Sequence, residues 1–211
     1  MPLLTLQKVL NNFINSYQPN PIKYFYEEDV RAHLLNELWN EEIFNIKLPV
    51  TKKNLWIKDY QQIFGSEIDI SGIKAEYPLK MNVEHHPNKK FDIAFINPNK
   101  LNPANCSNHY ILECLFALEI KLSQRDNKNS DFKSDIEKLK NYKILHSTFT
   151  GVAINFEQNP NYNKNKVIED YNNYKDLKFL DLDKPVSISE NTINYFFVSR
   201  NYVLGGIAKA T

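Results

Sequence analysis

Cysteine is almost missing from this chain. Cys106 and Cys114 are the only two in 211 residues, too few for a disulfide framework or a cysteine zinc site. A reducing cytoplasm is the expected setting. Charge of one sign is missing too. Twenty-six basic residues against 25 acidic ones leave a formal net charge of +1, so nothing global demands a nucleic acid or a membrane surface. Any such partner must be met by local patches. No apolar run is long enough to span a bilayer, and no N-terminal signal pattern is present. There is no internal repeat and no interior linker that would divide the chain. Gly205-Gly206 lacks the strand–GxGxxG–helix context of a phosphate loop. What remains is the composition of one folded domain over residues 1–211, 42% hydrophobic and 24% charged, with length enough for a real core. Abundant Asn, Lys, Ile and Tyr fit an AT-rich bacterial or phage genome.

The stretch Ile111 to Leu122, ILECLFALEIKL, organises the rest. Its even positions, from Leu112 to Leu122, are all apolar. Its odd positions become charged at the end, with Glu119 and Lys121. A period of two over this length predicts a strand with one face in the core. Glu119 and Lys121 then project from one face and Ile120 from the other. A carboxylate and an ammonium at the end of a buried strand are costly unless paired or put to use. Ala117, just before them, leaves room for something small.

Around this strand the pattern predicts a helix over Leu3–Tyr17, broken by Gln18-Pro19-Asn20-Pro21, and a second from Glu27 to about Asn45. Leu55-Trp56-Ile57 and Ile68-Asp69-Ile70 are candidate short strands. The run from Lys80 to Ile96 reads as a hairpin turning at Pro87-Asn88. Within it Phe91, Ile93 and Phe95 share one face, and Asp92 is a charge on the other. A helix over Ser130–Leu145, a strand at Phe149–Phe156, a helix at Val167–Leu177 and a strand at Asn194–Val203 follow. This order predicts an α/β fold, with a mixed sheet of four to six strands and helices on both faces.

Asp92 and the Glu119/Lys121 pair lie on successive strands. If those strands are neighbours, the two carboxylates converge. With nearby backbone carbonyls they make a hard oxygen site suited to Mg²⁺ or Mn²⁺. A lysine beside such a site can hold or deprotonate an attacking water, and the ion can neutralise charge on a phosphate. That is the inventory for metal-assisted phosphodiester hydrolysis.

Asp92, a gap of 26 residues and then Glu119-Ile120-Lys121 resembles the PD-(D/E)XK nuclease superfamily. Phe91-Asp92 stands where that family often has Pro-Asp. The resemblance covers about residues 24–156. It implies the restriction-endonuclease-like α/β/α fold and a Mg²⁺- or Mn²⁺-dependent endonuclease, acting on DNA ahead of RNA. It also implies roles. Asp92, Glu119 and the Ile120 carbonyl bind the metal, and Lys121 positions the attacking water. Glu27, on the inward stripe of the second helix, completes the site, with Glu28 as the fallback. Glu84 resembles a further carboxylate position. Asp135 and Lys138 resemble a supporting pair. A second copy of the chain remains open as a partner, and no membrane is expected.

Plainer roles stand beside each of these. Glu119 and Lys121 can be an ion pair on a solvated sheet face. Asp92 can cap a turn or pair with Lys89 or Lys90. Glu27 can simply complement the helix dipole, and Asp135/Lys138 at i, i+3 can be a solvated pair. His85 and His86 are adjacent on a strand, point to opposite faces and do not share an ion easily. Glu113 lies roughly 20 Å along the strand from Glu119, too far to share a metal. Between Lys121 and Lys143 basic residues exceed acidic ones, enough to line a phosphate backbone or to solvate a helix. The competing functional readings are a non-catalytic nuclease-fold module that binds nucleic acid or protein, and a small phage or mobile-element protein that contacts a host protein.

Overall fold

The computed structural model describes residues 1–49, 67–80, 85–101, 112–123, 130–159, 161–172, 177–182 and 185–208, with backbone alone at 49, 79–80, 85–89, 130–131 and 172. Leu55-Trp56-Ile57, Glu84 and Cys106 lie outside these residues. The chain begins with α1 (Pro2–Tyr17), whose stripe Leu6, Val9, Leu10, Phe13, Ile14 and Tyr17 is buried as helical spacing requires. α2 (Glu27–Trp39) follows. The Asp29 carboxylate accepts the N–H groups of Phe25 and Tyr26 at 2.9 and 3.0 Å, which fixes where this helix starts.

α2 is shorter than the sequence pattern predicts. It ends at Trp39, whose indole N–H donates to the Ile73 carbonyl at 3.2 Å. The apolar residues beyond serve other elements. Phe44 closes a 3-10 turn (Glu42–Phe44) and is wedged against Phe95 and Phe116. Ile46 belongs to β1 (Asn45–Pro49), which pairs antiparallel with β2 (Glu67–Ser71) in a small two-stranded sheet.

The main sheet has seven strands in mixed directions. It is built from β3 (Ile73–Lys80), β4 (His85–Ile96), β5 (Cys114–Ser123), β6 (Thr150–Glu157), β7 (Leu180–Asp181), β8 (Ile193–Ser199) and β9 (Val203–Ala208), in the order β3-β4-β5-β6-β8-β9-β7. β5, β6 and β8 are mutually parallel. The remaining pairings are antiparallel. The expected four to six strands are too few. The segment expected as one late strand is a hairpin, because Ser199 N–H bonds back to the Tyr202 carbonyl at 2.9 Å and splits it. The expected turn at Pro87-Asn88 is also displaced. β4 runs through it unbroken from His85, and the hairpin partner is β3. This part of β4 pairs on one side only, where a proline lacking its N–H is tolerated.

α3 (Ser130–Leu145) carries the chain from β5 to parallel β6, and α4 (Lys164–Asn172) follows β6. α4 begins earlier than predicted because Asn163 caps it, its side chain accepting the Lys166 N–H at 3.0 Å. Helices cover both faces of the sheet. Phe156 of β6 meets Phe13 of α1, with ring centroids 5.2 Å apart. Gly151, of opposite parity on the same strand, lies against Leu139 of α3. This mixed α/β architecture is compatible with three layers. β5 sits inside it, with Ala117 and Glu119 buried, so the alternative that Glu119 belongs to an ion pair on a solvated sheet face does not hold. Among the described residues no helix is long and apolar enough to cross a membrane.

Candidate active site

The site forms where two strands part. The β4–β5 ladder runs Phe95↔Phe116, Ala94↔Ala117, Ile93↔Leu118 and stops. The next rung would set Asp92 opposite Glu119. Instead Asp92 Oδ2 accepts the backbone N–H of Ile120 at 2.7 Å. The side chain thus takes over a backbone partner, and the even alternation of β4 breaks here. Phe95 packs on Phe44 and Phe116, whereas Phe91 packs on Tyr142 of α3 and on Phe149. The single face predicted for Phe91, Ile93 and Phe95 does not hold. The other Asp92 oxygen lies 3.4 Å from Arg31 of α2. Arg31 also pairs with Glu76 of β3.

Glu119 is 2% exposed. Its Oε2 accepts from Lys138 Nζ at 2.6 Å, and Lys138 also donates to the Lys90 carbonyl at 2.9 Å. Asp135 lies 3.7 Å from the same ammonium. Glu119 Oε1 has no hydrogen-bond partner among the described residues. Burial pushes this carboxyl well above the usual range and nearby Asp92 adds to the effect, while Lys138 opposes it.

Lys121 sits between two carboxylates, 3.6 Å from Glu27 Oε1 and 3.6 Å from Asp135 Oδ2. Burial disfavours its charge, but Asp135, Glu27, Asp92 and Glu119 together outweigh burial and raise its pKa. Lys121 is therefore an ammonium, a donor that can hold a water or a phosphate oxygen rather than a base that takes a proton. Burial also raises the carboxyls of Glu27 and Asp135, against the pull of Lys121. The carboxyls of Glu119, Glu27 and Asp135 are thus held above the ordinary range, and added positive charge would relieve them.

Every sequence-predicted residue that the structure describes reaches this cluster, with one exception. Glu28 is exposed, and of the two helix acids Glu27 is the one beside Lys121. The side chains of His85 and His86 lie outside the description. Arg31, Glu76 and the Lys90 carbonyl were not anticipated. Arg31 had a signal, since it stands four residues after Glu27 and shares its helix face. Glu76 had none, because its place depends on the β3–β4 register, between Ala75↔Ile93 and Tyr77↔Phe91. Its backbone takes a positive φ of 48°, an uncommon conformation for a side chain of this size.

Among the described residues no three carboxylate, imidazole or thiolate groups gather closely enough to close a metal sphere unaided. The donor set nevertheless suits a hard divalent cation. Asp92 and Glu119 flank the end of one ladder, and Glu119 presents a buried oxygen with no partner. Such ions take carboxylate and carbonyl oxygens and retain several waters. Compared with protein-family models, with curated proteins and with solved structures, the chain shows no significant match.

Proposed function

We propose that the chain is a metal-dependent nuclease of the PD-(D/E)XK type that hydrolyses phosphodiester bonds, in DNA ahead of RNA. The observation that carries this reading is the meeting of Asp92, Glu119 and Lys121 at the end of the β4–β5 ladder, with Glu119 Oε1 buried and unpartnered. Asp92, Glu119 and the Ile120 carbonyl would hold Mg²⁺ or Mn²⁺. The bound ion supplies Lewis-acid neutralisation of the charge that builds on the phosphate. Lys121, kept protonated by Glu27 and Asp135, orients the attacking water through an N–H donor. Arg31, beside Asp92, places a further cation within reach of a non-bridging phosphate oxygen.

Supercoiled plasmid incubated with the purified protein and Mg²⁺ or Mn²⁺ tests this directly. Nicked or linear product is expected, and Lys121→Ala should lose it. Equal cleavage by that variant rejects the mechanism.

A second reading has its own support. Lys138 already holds Glu119 at 2.6 Å and Arg31 already attends Asp92, as in a finished ion-pair network. On that reading the chain is a non-catalytic module that binds nucleic acid or a protein. Calorimetry with Mn²⁺ separates the two, because the module should show no heat that depends on Asp92 and Glu119.

A further inference from the structure

One residue of β3 is unfavourably placed in both backbone and charge. Glu76 takes a positive φ of 48° inside a strand, a conformation that residues other than glycine keep only where their surroundings impose it. It lies between the rungs Ala75↔Ile93 and Tyr77↔Phe91, so Asp92 is the residue across from it on β4. Two carboxylates facing each other on neighbouring strands repel. Backbone outliers of this kind gather at functional sites, and this one borders the Asp92–Glu119 cluster.

Arg31 of α2 answers both carboxylates. Its Nη1 donates to Glu76 Oε1 and lies 3.4 Å from Asp92 Oδ1. The other Glu76 oxygen stands 3.8 Å from Lys90 Nζ. The Nε–H and Nη2 donors of Arg31 make no hydrogen bond among the described residues, and the side chain keeps 20% of its surface exposed. The guanidinium is thus anchored through one nitrogen, with the rest of its planar fork open. That fork matches the oxygens of a phosphate. A tethered arginine also has less rotamer freedom left to lose on binding. The two anchors are unequal. Asp92 also accepts the Ile120 N–H and is committed to the metal in the nuclease reading. Glu76 pairs with cations alone.

We propose that Glu76 is a positioning residue. It anchors Arg31 through Nη1 and so aims the remaining guanidinium donors at the non-bridging oxygens of the phosphate beside Asp92. The choice of a nucleic-acid phosphate rests on the nuclease reading; the anchoring rests on the geometry of Glu76 and Arg31.

Cleavage kinetics of a DNA duplex in Mg²⁺, with anisotropy of the same labelled duplex in EDTA, test this assignment. Arg31→Met should lower kcat/KM by about 10²- to 10³-fold, the usual loss of one directed donor. Glu76→Gln should lower it by about 10- to 10²-fold, the scale of a misaimed group. In the Arg31→Met background Glu76→Gln should change little, because nothing is left to aim. Both substitutions should also weaken binding in EDTA. For Glu76→Gln the sign is diagnostic, since removal of an acid favours a polyanion by charge alone. Glu76→Gly frees the backbone of its left-handed constraint, so it should melt no earlier than the wild type and still lose cleavage. Wild-type or faster cleavage in the Glu76 variants overturns the assignment, as does full additivity with Arg31→Met or a loss seen only where the variants unfold. Weaker binding in both variants without any metal-dependent cleavage supports the anchoring and removes the nuclease reading. Metal-dependent cleavage that Glu76→Gln leaves intact does the reverse. A wild-type protein that neither binds nor cleaves the duplex overturns both.

Discussion

The Asp92 carboxylate accepts the Ile120 N–H at 2.7 Å, one residue beyond the last rung of the β4–β5 ladder. Asp92 thereby joins two strands and presents its second oxygen to Arg31. Replacing it with alanine strands the Ile120 N–H and removes an anion from Arg31. Asp92→Ala should lose about 1–3 kcal/mol of unfolding free energy in urea. Asp92→Asn keeps an acceptor oxygen and should lose less. Both should lose any rise in melting temperature that Mn²⁺ gives the wild type.

Lys121 contributes through its donor rather than through packing. On the nuclease reading, Lys121→Ala should slow single-turnover cleavage of plasmid by about 10²- to 10³-fold, the usual loss when one positioned donor is removed. Heat of Mn²⁺ binding should persist, because Asp92 and Glu119 remain. Loss of both together would show that the lysine supports the carboxylates instead.

Lys138 neutralises a carboxylate that has almost no access to water. Lys138→Met removes the cation that offsets the burial of Glu119 and should destabilise the fold by about 3–5 kcal/mol at neutral pH. Adding Glu119→Gln should recover much of that loss. Urea unfolding of the two single variants and the double variant measures the coupling. Simple additivity would deny the pair any energetic meaning.

The raised Glu119 carboxyl also sets a pH dependence. An acid whose folded pKa lies above its unfolded value binds its proton more tightly when folded, so protonation favours the fold. Without divalent ions, the stability of the wild type relative to Glu119→Gln should be highest below the ordinary glutamate value of 4.5. It should fall as pH rises through the raised folded value and level off beyond it. Denaturant titrations of both proteins across this range, in EDTA, supply the difference. A difference that grows with pH would contradict the burial of Glu119.

Gly151 sets how closely α3 approaches the sheet. A Cβ there would stand 2.7 Å from Ile193 Cδ1 and 3.1 Å from Leu139 Cβ. Gly151→Ala should cost about 1–3 kcal/mol through overpacking. Because Asp135 and Lys138 ride on α3, it should also reduce cleavage and Mn²⁺ affinity. Those reductions should persist at temperatures where circular dichroism shows the variant fully folded.

Much of the fold was legible from spacing. α1 and α3 lie where their apolar stripes require, and β5 and β6 follow from period-two and buried runs. What misled was apolar residues serving a neighbouring element. Phe44 and Ile46 continue the helical stripe of α2 by spacing, yet they pack into a 3-10 turn and β1. Pro87-Asn88 has turn chemistry but sits in a strand, because the pairing partner of that stretch is β3. The late hairpin was hidden because Arg200-Asn201 carries none of the glycine or proline marks of a turn.

The sequence by itself determined which residues are chemically out of place. Asp92, Glu119 and Lys121 are charges in apolar strands, and such charges need partners whatever the fold, because burial penalises them. Only the tertiary structure decided who those partners are. Arg31 and Glu76 reach the site from a helix and a strand far away in the chain, and the docking of α3 decides that Lys138 meets Glu119. Register and helix docking set those distances, and neither is written in local pattern.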